Sequence, residues 1–289
     1  MIIIVGDLHV KNREPFLSSI CKTFEWIRDE FGSDITLIQL GDLFDTSSPH
    51  HDIEFKIIEK LLQFRQVFIL TGNHDYSKIK GNSLLPLMHH RTITVLEEAT
   101  EVILEGNKYL LLPYLYSNMK EKYEILQGKY DYICTHVTPC ECAFGDEGID
   151  LHPEGIYVHG HTHIATDFRD KYNNLNIVLG VPLPTRYGEQ NQHFRIMKIE
   201  NKNYEFVLVP QYYTYETIEY GQEPQGINNI INVINAPSVQ SVYEKYGKYN
   251  IREEGIELLM LEVENENKNE FESGSLKDKF IKFAKDNNM

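Results

Sequence analysis

Short apolar runs recur along the chain, each closed by glycine or a polar turn: Ile2 to Val5, Ile35 to Leu40, Val67 to Leu70, Tyr130 to Cys134, Ile156 to Val158 and Ile177 to Leu179. Runs of this kind read as buried strands. Between the first three lie two segments with helical spacing, Phe16, Ile20, Phe24, Ile27, Phe31 and then Ile53, Ile57, Leu61, with Ile58 and Leu62 beside them. Strands alternating with such segments predict βαβ units around a sheet.

From Thr92 onward the pattern changes. Val102 to Leu104 and Tyr109 to Leu112 flank Glu105-Gly106-Asn107-Lys108, a hairpin signal, and a second hairpin is expected near Glu200 to Asn203. The fold class expected is α/β: a two-sheet mixed β-sandwich flanked by helices, with a small C-terminal α/β appendage. The main domain should span residues 1–211. Residues 212–226, rich in tyrosine and passing Gly221, Pro224 and Gly226, read as a linker. Residues 227–289 then form a small C-terminal capping or partner-binding region. Ile227 to Ile234, Val239 to Tyr246 and Ile256 to Val263 suggest strand, helix and strand there. A last helix starts at the capping-box pattern Ser275 to Asp278 and carries Leu276, Phe280, Phe283 and Ala284 on one face.

Composition narrows the function classes. The 289 residues carry 28 Lys plus Arg against 43 Asp plus Glu, a net charge of -15 that repels polyanions at long range. A protein that wraps nucleic acid unaided is not expected. No apolar run approaches the ~20 residues of a membrane span, and Met1 opens into Ile2, Ile3, Ile4 and Val5 without a basic leader. A cytoplasmic chain without membrane contact is expected. Four cysteines in a chain of this length suit a reducing compartment without a structural disulfide.

Polar residues gather at the carboxyl ends of the expected strands. Strand one runs into Gly6-Asp7-Leu8-His9, strand two into Gly41-Asp42-Leu43-Phe44-Asp45, and strand three into Gly72-Asn73-His74-Asp75. Later strands add His136 and then His159-Gly160-His161-Thr162-His163. In an open α/β sheet that edge is where ligands bind. Carboxylate, imidazole and amide donors without thiolates suit Mn²⁺, Fe or Zn²⁺, and the histidines are too many for a dedicated Ca²⁺ or Mg²⁺ cage. The set exceeds the needs of one ion. Two ions about 3.5 to 4 Å apart, sharing a carboxylate, are a general solution to phosphoester hydrolysis. A Gly-Asp pair alone is an ordinary turn; five such blocks in order, each after a strand, are not. Cys140 and Cys142 follow His136 but fall short of a closed tetrahedral zinc set.

These blocks, G-D-x-H, G-D-x-x-D, G-N-H-D, a single His and G-H-x-H over residues 6–163, resemble the signature of the calcineurin-like metallophosphoesterases. The resemblance implies the metallophosphoesterase fold and a dimetal site, most simply two Mn²⁺, with Mg²⁺, Fe or Zn²⁺ as alternatives. It puts Asp7, His9 and His163 on one ion, Asn73, His136 and His161 on the other, and Asp42 between them. His74 is then the non-ligand acid and Asp45 its orienting partner. Hydrolysis would use a hydroxide activated by both ions, without a covalent enzyme intermediate.

Within that superfamily, Gly41 to Pro49 (Gly-Asp-Leu-Phe-Asp-Thr-Ser-Ser-Pro) resembles SbcD-type double-strand-break repair nucleases and phage recombination endonuclease subunits. Protein phosphatases carry Asp-Arg-Gly where this chain has Asp45-Thr46-Ser47. Gly180 to Pro184, continuing to Gly188 and Glu189, is similar to the nucleases' G-S-P loop, with Val181 in place of serine. The resemblance implies a DNA exo- or endonuclease serving repair or recombination. Its partners would be DNA, an SMC-like coiled-coil ATPase docked on the last helix, and a second copy in a homodimer. A small-molecule phosphodiesterase or phosphatase is the alternative that the net charge favours. A non-catalytic scaffold is a third, although no ligand-type residue is missing.

Overall fold

Ile2, Ile3, Ile4 and Val5 form β1 (Ile2–Val5), buried along its whole length because it lies inside a sheet covered on both sides. The computed structural model describes residues 1–79, 81–143, 148–189, 192–226, 229–236 and 238–252. The chain divides into two compact units after Tyr212.

In the first unit, β1 leads through α1 (Phe16–Phe31) to β2 (Thr36–Gln39), and through α2 (His51–Leu61) to β3 (Gln66–Leu70). The α1 stripe Phe16, Ile20, Phe24 and Ile27 is buried, as its spacing predicts. α2 starts at His50, whose side chain accepts the Asp52 N–H, and Asp52 and Glu54 in its first turn suit the positive helix end. A two-residue pair, β4 (Tyr76–Ser77) and β5 (Gly81–Asn82), precedes β6 (Ile93–Leu96). The expected hairpin is β7 (Thr100–Leu104) with β8 (Asn107–Leu112). After α3 (Met119–Tyr123) come β9 (Lys129–Thr135), β10 (Glu154–His159), β11 (Thr166–Arg169) and β12 (Leu175–Val178). The second expected hairpin is β13 (Arg195–Glu200) with β14 (Asn203–Leu208).

These strands make two six-stranded sheets, in the orders β14-β13-β1-β2-β3-β6 and β11-β12-β10-β9-β8-β7. In the first, β1, β2, β3 and β6 are parallel and β13 and β14 antiparallel; in the second, β8, β9, β10 and β12 are parallel, with antiparallel edges. Ile4, Ile38, Leu40, Phe68 and Met197 of one sheet pack against Tyr109, Leu111, Tyr132, Cys134 and Val158 of the other in one core. This is the expected two-sheet sandwich. β11 escaped the sequence pattern because Thr166-Asp167-Phe168-Arg169 is an edge strand, mostly exposed, with no apolar run to announce it.

The second unit corrects the sequence reading. The stretch expected to be a linker contains β15 (Tyr215–Glu219), which pairs in parallel with β16 (Ile230–Ile234). Its alternating pattern buries Ile218 on one face, and the polar residues around it hid the strand. β17 (Asn250–Ile251) adds to the other side of β16, and α4 (Val239–Tyr246), capped by Ser238, connects them. Ile218, Ile231, Val233, Val242 and Tyr246 form the core of this unit. The strand expected at Ile256 to Val263 and the helix expected after Ser275 lie outside the described residues. Among the described residues no helix is long and apolar enough to cross a membrane.

Candidate metal centre

Asp7 and His9 follow β1, Asp42 follows β2, and Asn73 and His74 follow β3, while His136 follows β9 and His161 and His163 follow β10. Parallel strands of both sheets thus deliver their carboxyl ends to one rim. His9, Asp42 and His161 have φ of 42°, 51° and 65°, a left-handed backbone that non-glycine residues adopt at a cost and that concentrates at functional sites. Two glycines make room for the approach. A Cβ on Gly72 would strike the Asp42 carboxylate, and one on Gly41, itself at φ 108°, would strike the His136 ring.

Two donor groups result. Ligand atoms of Asp7, His9 and His163 lie within 4.8 Å of one another, as do those of Asp42, His136 and His161. His9 Nε2 and His163 Nε2 are 2.9 Å apart, and Asp7 Oδ2 is 3.9 Å from both. Asp42 stands between the groups, with Oδ2 3.6 Å from His9 Nε2 and 3.3 Å from His136 Nε2. Asn73 Oδ1 is 3.2 Å from His136 Nε2. His74 also comes within ligand distance of His9 and Asp42.

The hydrogen bonds around the rings test whether cations fit. His136 Nδ1 donates to the Leu40 carbonyl at 2.7 Å, a tautomer assigned from that acceptor, so Nε2 aims a lone pair at two oxygens, Asn73 Oδ1 and Asp42 Oδ2. Lone pairs facing one another at such distances need a proton or a cation between them. His163 Nδ1 donates to Glu189 at 2.6 Å, which likewise turns its Nε2 toward His9. Backbone donors hold the carboxylates: the His161 N–H reaches both Asp7 oxygens at 3.0 and 2.9 Å, and the His74 N–H reaches Asp42 Oδ1 at 2.8 Å. Oriented imidazoles and fixed carboxylates suit divalent ions with mixed N and O donors.

The electrostatics agree. Burial draws the His136 pKa down, but Asp42 and Asp7 outweigh it and push it up to about 9. Burial raises Asp42, yet His136 and then His9 hold it well below the usual carboxylate range. Asp7 is raised, chiefly by burial, and His161 is lowered to about 4 by burial and by His136. Buried carboxylates and imidazoles that perturb one another this strongly mark a site that accommodates added positive charge.

His74 is oriented by the backbone of Asp45, its Nδ1 lying 3.0 Å from the Asp45 carbonyl, while the Asp45 carboxylate turns to His9 Nδ1 at 3.5 Å and Lys11 at 3.9 Å. Asp45 thus meets His74 through its main-chain oxygen.

Four supporting residues were missed. Buried Asp75 accepts the Phe44 and Gly72 N–H groups at 3.2 and 2.9 Å, tying the loop after β2 to the loop after β3. It is the last letter of Gly-Asn-His-Asp, and that position was its only signal. Glu189, 3% exposed, binds His163 and also accepts from Thr185 N, Thr185 Oγ1, Arg186 N and Arg186 Nε. The Tyr116 hydroxyl sits within reach of the Gly72, Asn73 and Tyr76 carbonyls, and Tyr114 beside it stands 6.1 Å from the His161 ring.

A rim of this composition on this sandwich defines a class of phosphoesterases with two metal ions. The model of the calcineurin-like phosphoesterase family matches residues 1–165, which include every ligand-type residue above. The chain belongs to that family, and its cluster of Asp and His residues is one that could bind the family's dimetal centre. Among solved structures it is similar to a dimetal phosphatase from Danio rerio, with 11% identity and a TM-score of 0.45 over 72% of this chain and 98% of that one. It is also similar to a 5'-nucleotidase precursor from Thermus thermophilus, with 9% identity and a TM-score of 0.37 over 72% of this chain and 54% of that one. No curated protein sequence matches.

Proposed function

We propose that the protein is a divalent-metal-dependent DNA nuclease, the hydrolytic subunit of an ATPase-coupled repair or recombination complex. The observation that carries phosphodiester hydrolysis is the position of Asp42 between two histidine-bearing groups, within 3.6 Å of one and 3.3 Å of the other. DNA as the substrate is supported by the sequence of Gly41 to Pro49, which has nuclease rather than protein-phosphatase character.

Asp7, His9 and His163 would hold one ion, Asn73, His136 and His161 the other, and Asp42 both. Bound there, the ions supply Lewis acidity toward the phosphate oxygens and lower the pKa of water. His74 handles the proton on the leaving side. With Nδ1 engaged by the Asp45 carbonyl, its Nε2 is the nitrogen left to meet the phosphate or leaving oxygen, and its backbone N–H ties it to the Asp42 carboxylate. Leu40 and Glu189 hold the His136 and His163 rings in the tautomer that directs Nε2 into the cleft.

The net charge of -15 favours a second reading, a small-molecule phosphodiesterase or phosphatase that needs no long basic track. In the nuclease reading an SMC-like ATPase partner supplies that track. One experiment separates them: the manganese-loaded protein is offered single-stranded DNA, double-stranded DNA and an aryl phosphodiester. Cleavage of DNA, lost in Asp42→Asn and His74→Ala, is expected; hydrolysis of the aryl diester without any DNA cleavage, whatever the divalent ion, overturns the nuclease reading.

A further inference from the structure

The two donor groups have different neighbours. At the His136 and His161 end the neighbours are the tyrosines, Tyr114 lying 6.4 and 6.1 Å from the two rings and Tyr116 packing on Tyr114 at 5.1 Å. At the His9 and His163 end two cations, Arg186 and Lys11, stand among the carboxylates of Glu189 and Asp45, the latter 3.9 Å from Lys11. Arg186 Nε donates to Glu189 Oε1 at 2.9 Å, and that same oxygen receives the His163 Nδ1 proton at 2.6 Å, so the guanidinium is one carboxylate removed from a candidate ligand. Lys11, two residues after His9, donates to the carbonyl of Thr185, the residue before Arg186, at 2.8 Å. The two cations therefore meet on one peptide unit.

Their orientation matters more than their number. Glu189 is 3% exposed and already accepts two backbone N–H groups and a hydroxyl, whereas the Arg186 side chain is 63% exposed. The negative end of the pair is inside and the positive end outside. The bond uses Nε, the nitrogen nearest the chain, so the terminal nitrogens of the fork extend beyond the carboxylate. A planar guanidinium held at one edge is preorganised for two-point contact with a phosphate. Lys11 is steadied in turn over the Phe16 ring at 5.0 Å, beside Arg13 at 5.3 Å. In a chain of net charge -15, Arg186 and Lys11 give a phosphate arriving at this end two local partners.

We propose that Arg186 and Lys11 form a subsite for the phosphate next to the scissile one, so that the site prefers a polynucleotide backbone to an isolated diester. This deepens the phosphodiesterase reading and rests on it. The tyrosine end would face the nucleoside on the other side of the cut.

The test compares one scissile diester with and without a neighbouring phosphate: TpT against pTpT and TpTp, in manganese. Wild-type protein is expected to show kcat/KM about tenfold higher for one of the phosphorylated forms, the effect of one charge-assisted hydrogen bond. That ratio should collapse toward unity in Arg186→Gln and in Lys11→Gln and be partly restored in Arg186→Lys. Calorimetry gives a readout independent of turnover: thymidine bisphosphate should bind wild-type protein about tenfold more tightly than either monophosphate, and Arg186→Gln should bind them alike. Equal binding of bisphosphate and monophosphate by wild-type protein that still cuts DNA overturns the subsite and leaves the nuclease reading intact. Arg186-dependent preference for bisphosphate in a protein that cuts only small diesters keeps the subsite and overturns the nuclease.

Discussion

Glu189 Oε1 accepts the Nδ1 proton of His163 at 2.6 Å and thereby decides which nitrogen of that ring faces the cleft. Removing the negative charge while keeping the shape weakens this control. Glu189→Gln is expected to lower manganese affinity about 10- to 100-fold, the usual cost of losing a ligand's outer partner. Titration calorimetry measures the affinity, and ¹⁵N shifts of the His163 ring report the tautomer directly.

The same carboxylate makes an acid-stability prediction. Burial would raise its pKa from 4.5, but the His163 hydrogen bond and charge and the Thr185 donors hold it at about 2. A folded value below the unfolded one means stabilisation that is complete above pH 4.5 and lost as pH falls toward about 2. Metal-free wild-type protein should therefore lose more unfolding free energy across that window than Glu189→Gln. Urea titrations at a series of pH values give the difference between the two slopes.

Asp42→Asn removes the charge shared by both donor groups. Binding of two manganese ions per chain should give way to one or none. Phosphodiester hydrolysis should fall by about 100-fold or more, reflecting several kcal/mol of lost charge stabilisation. Metal content by mass spectrometry and rates on an aryl diester check both parts.

His74→Ala separates proton transfer from metal binding. Manganese stoichiometry should persist, while cleavage of a poor leaving group falls about 100- to 10,000-fold. A p-nitrophenolate leaving group, which needs little protonation, should lose much less. Equal losses on both substrates would remove the acid role.

Asp75→Asn tests the tie between the loops. The amide can accept only one of the two N–H groups from Phe44 and Gly72, and its own N–H₂ faces the other. A loss of about 1–3 kcal/mol in unfolding free energy is expected for the stranded donor. Thermal melts of metal-free protein measure it.

Asp7, His9, Asp42, Asn73, His74, His136, His161 and His163 were legible because each follows an apolar run, and a run of that length in a parallel sheet dictates where the next residue emerges. That Asp45 meets His74 through its carbonyl was not legible, because every residue possesses one. Glu189 follows no strand; it is drawn to His163 by the turn through Thr185 and Arg186, a tertiary contact across 26 residues with no local signature. β15 was hidden for a different reason. A strand with one buried face needs few apolar residues, and Ile218 between Thr217 and Glu219 looks like loop until its neighbour β16 is placed.

Because β1, β2 and β3 belong to one sheet and β9 and β10 to the other, each of the two candidate donor groups draws side chains from both layers and straddles the seam where they meet. Catalysis is in that sense a strain gauge for the seam. A perturbation that lets the layers slip by a fraction of a side chain, while sparing the ladders within each, would silence turnover in a molecule whose circular dichroism still looked native.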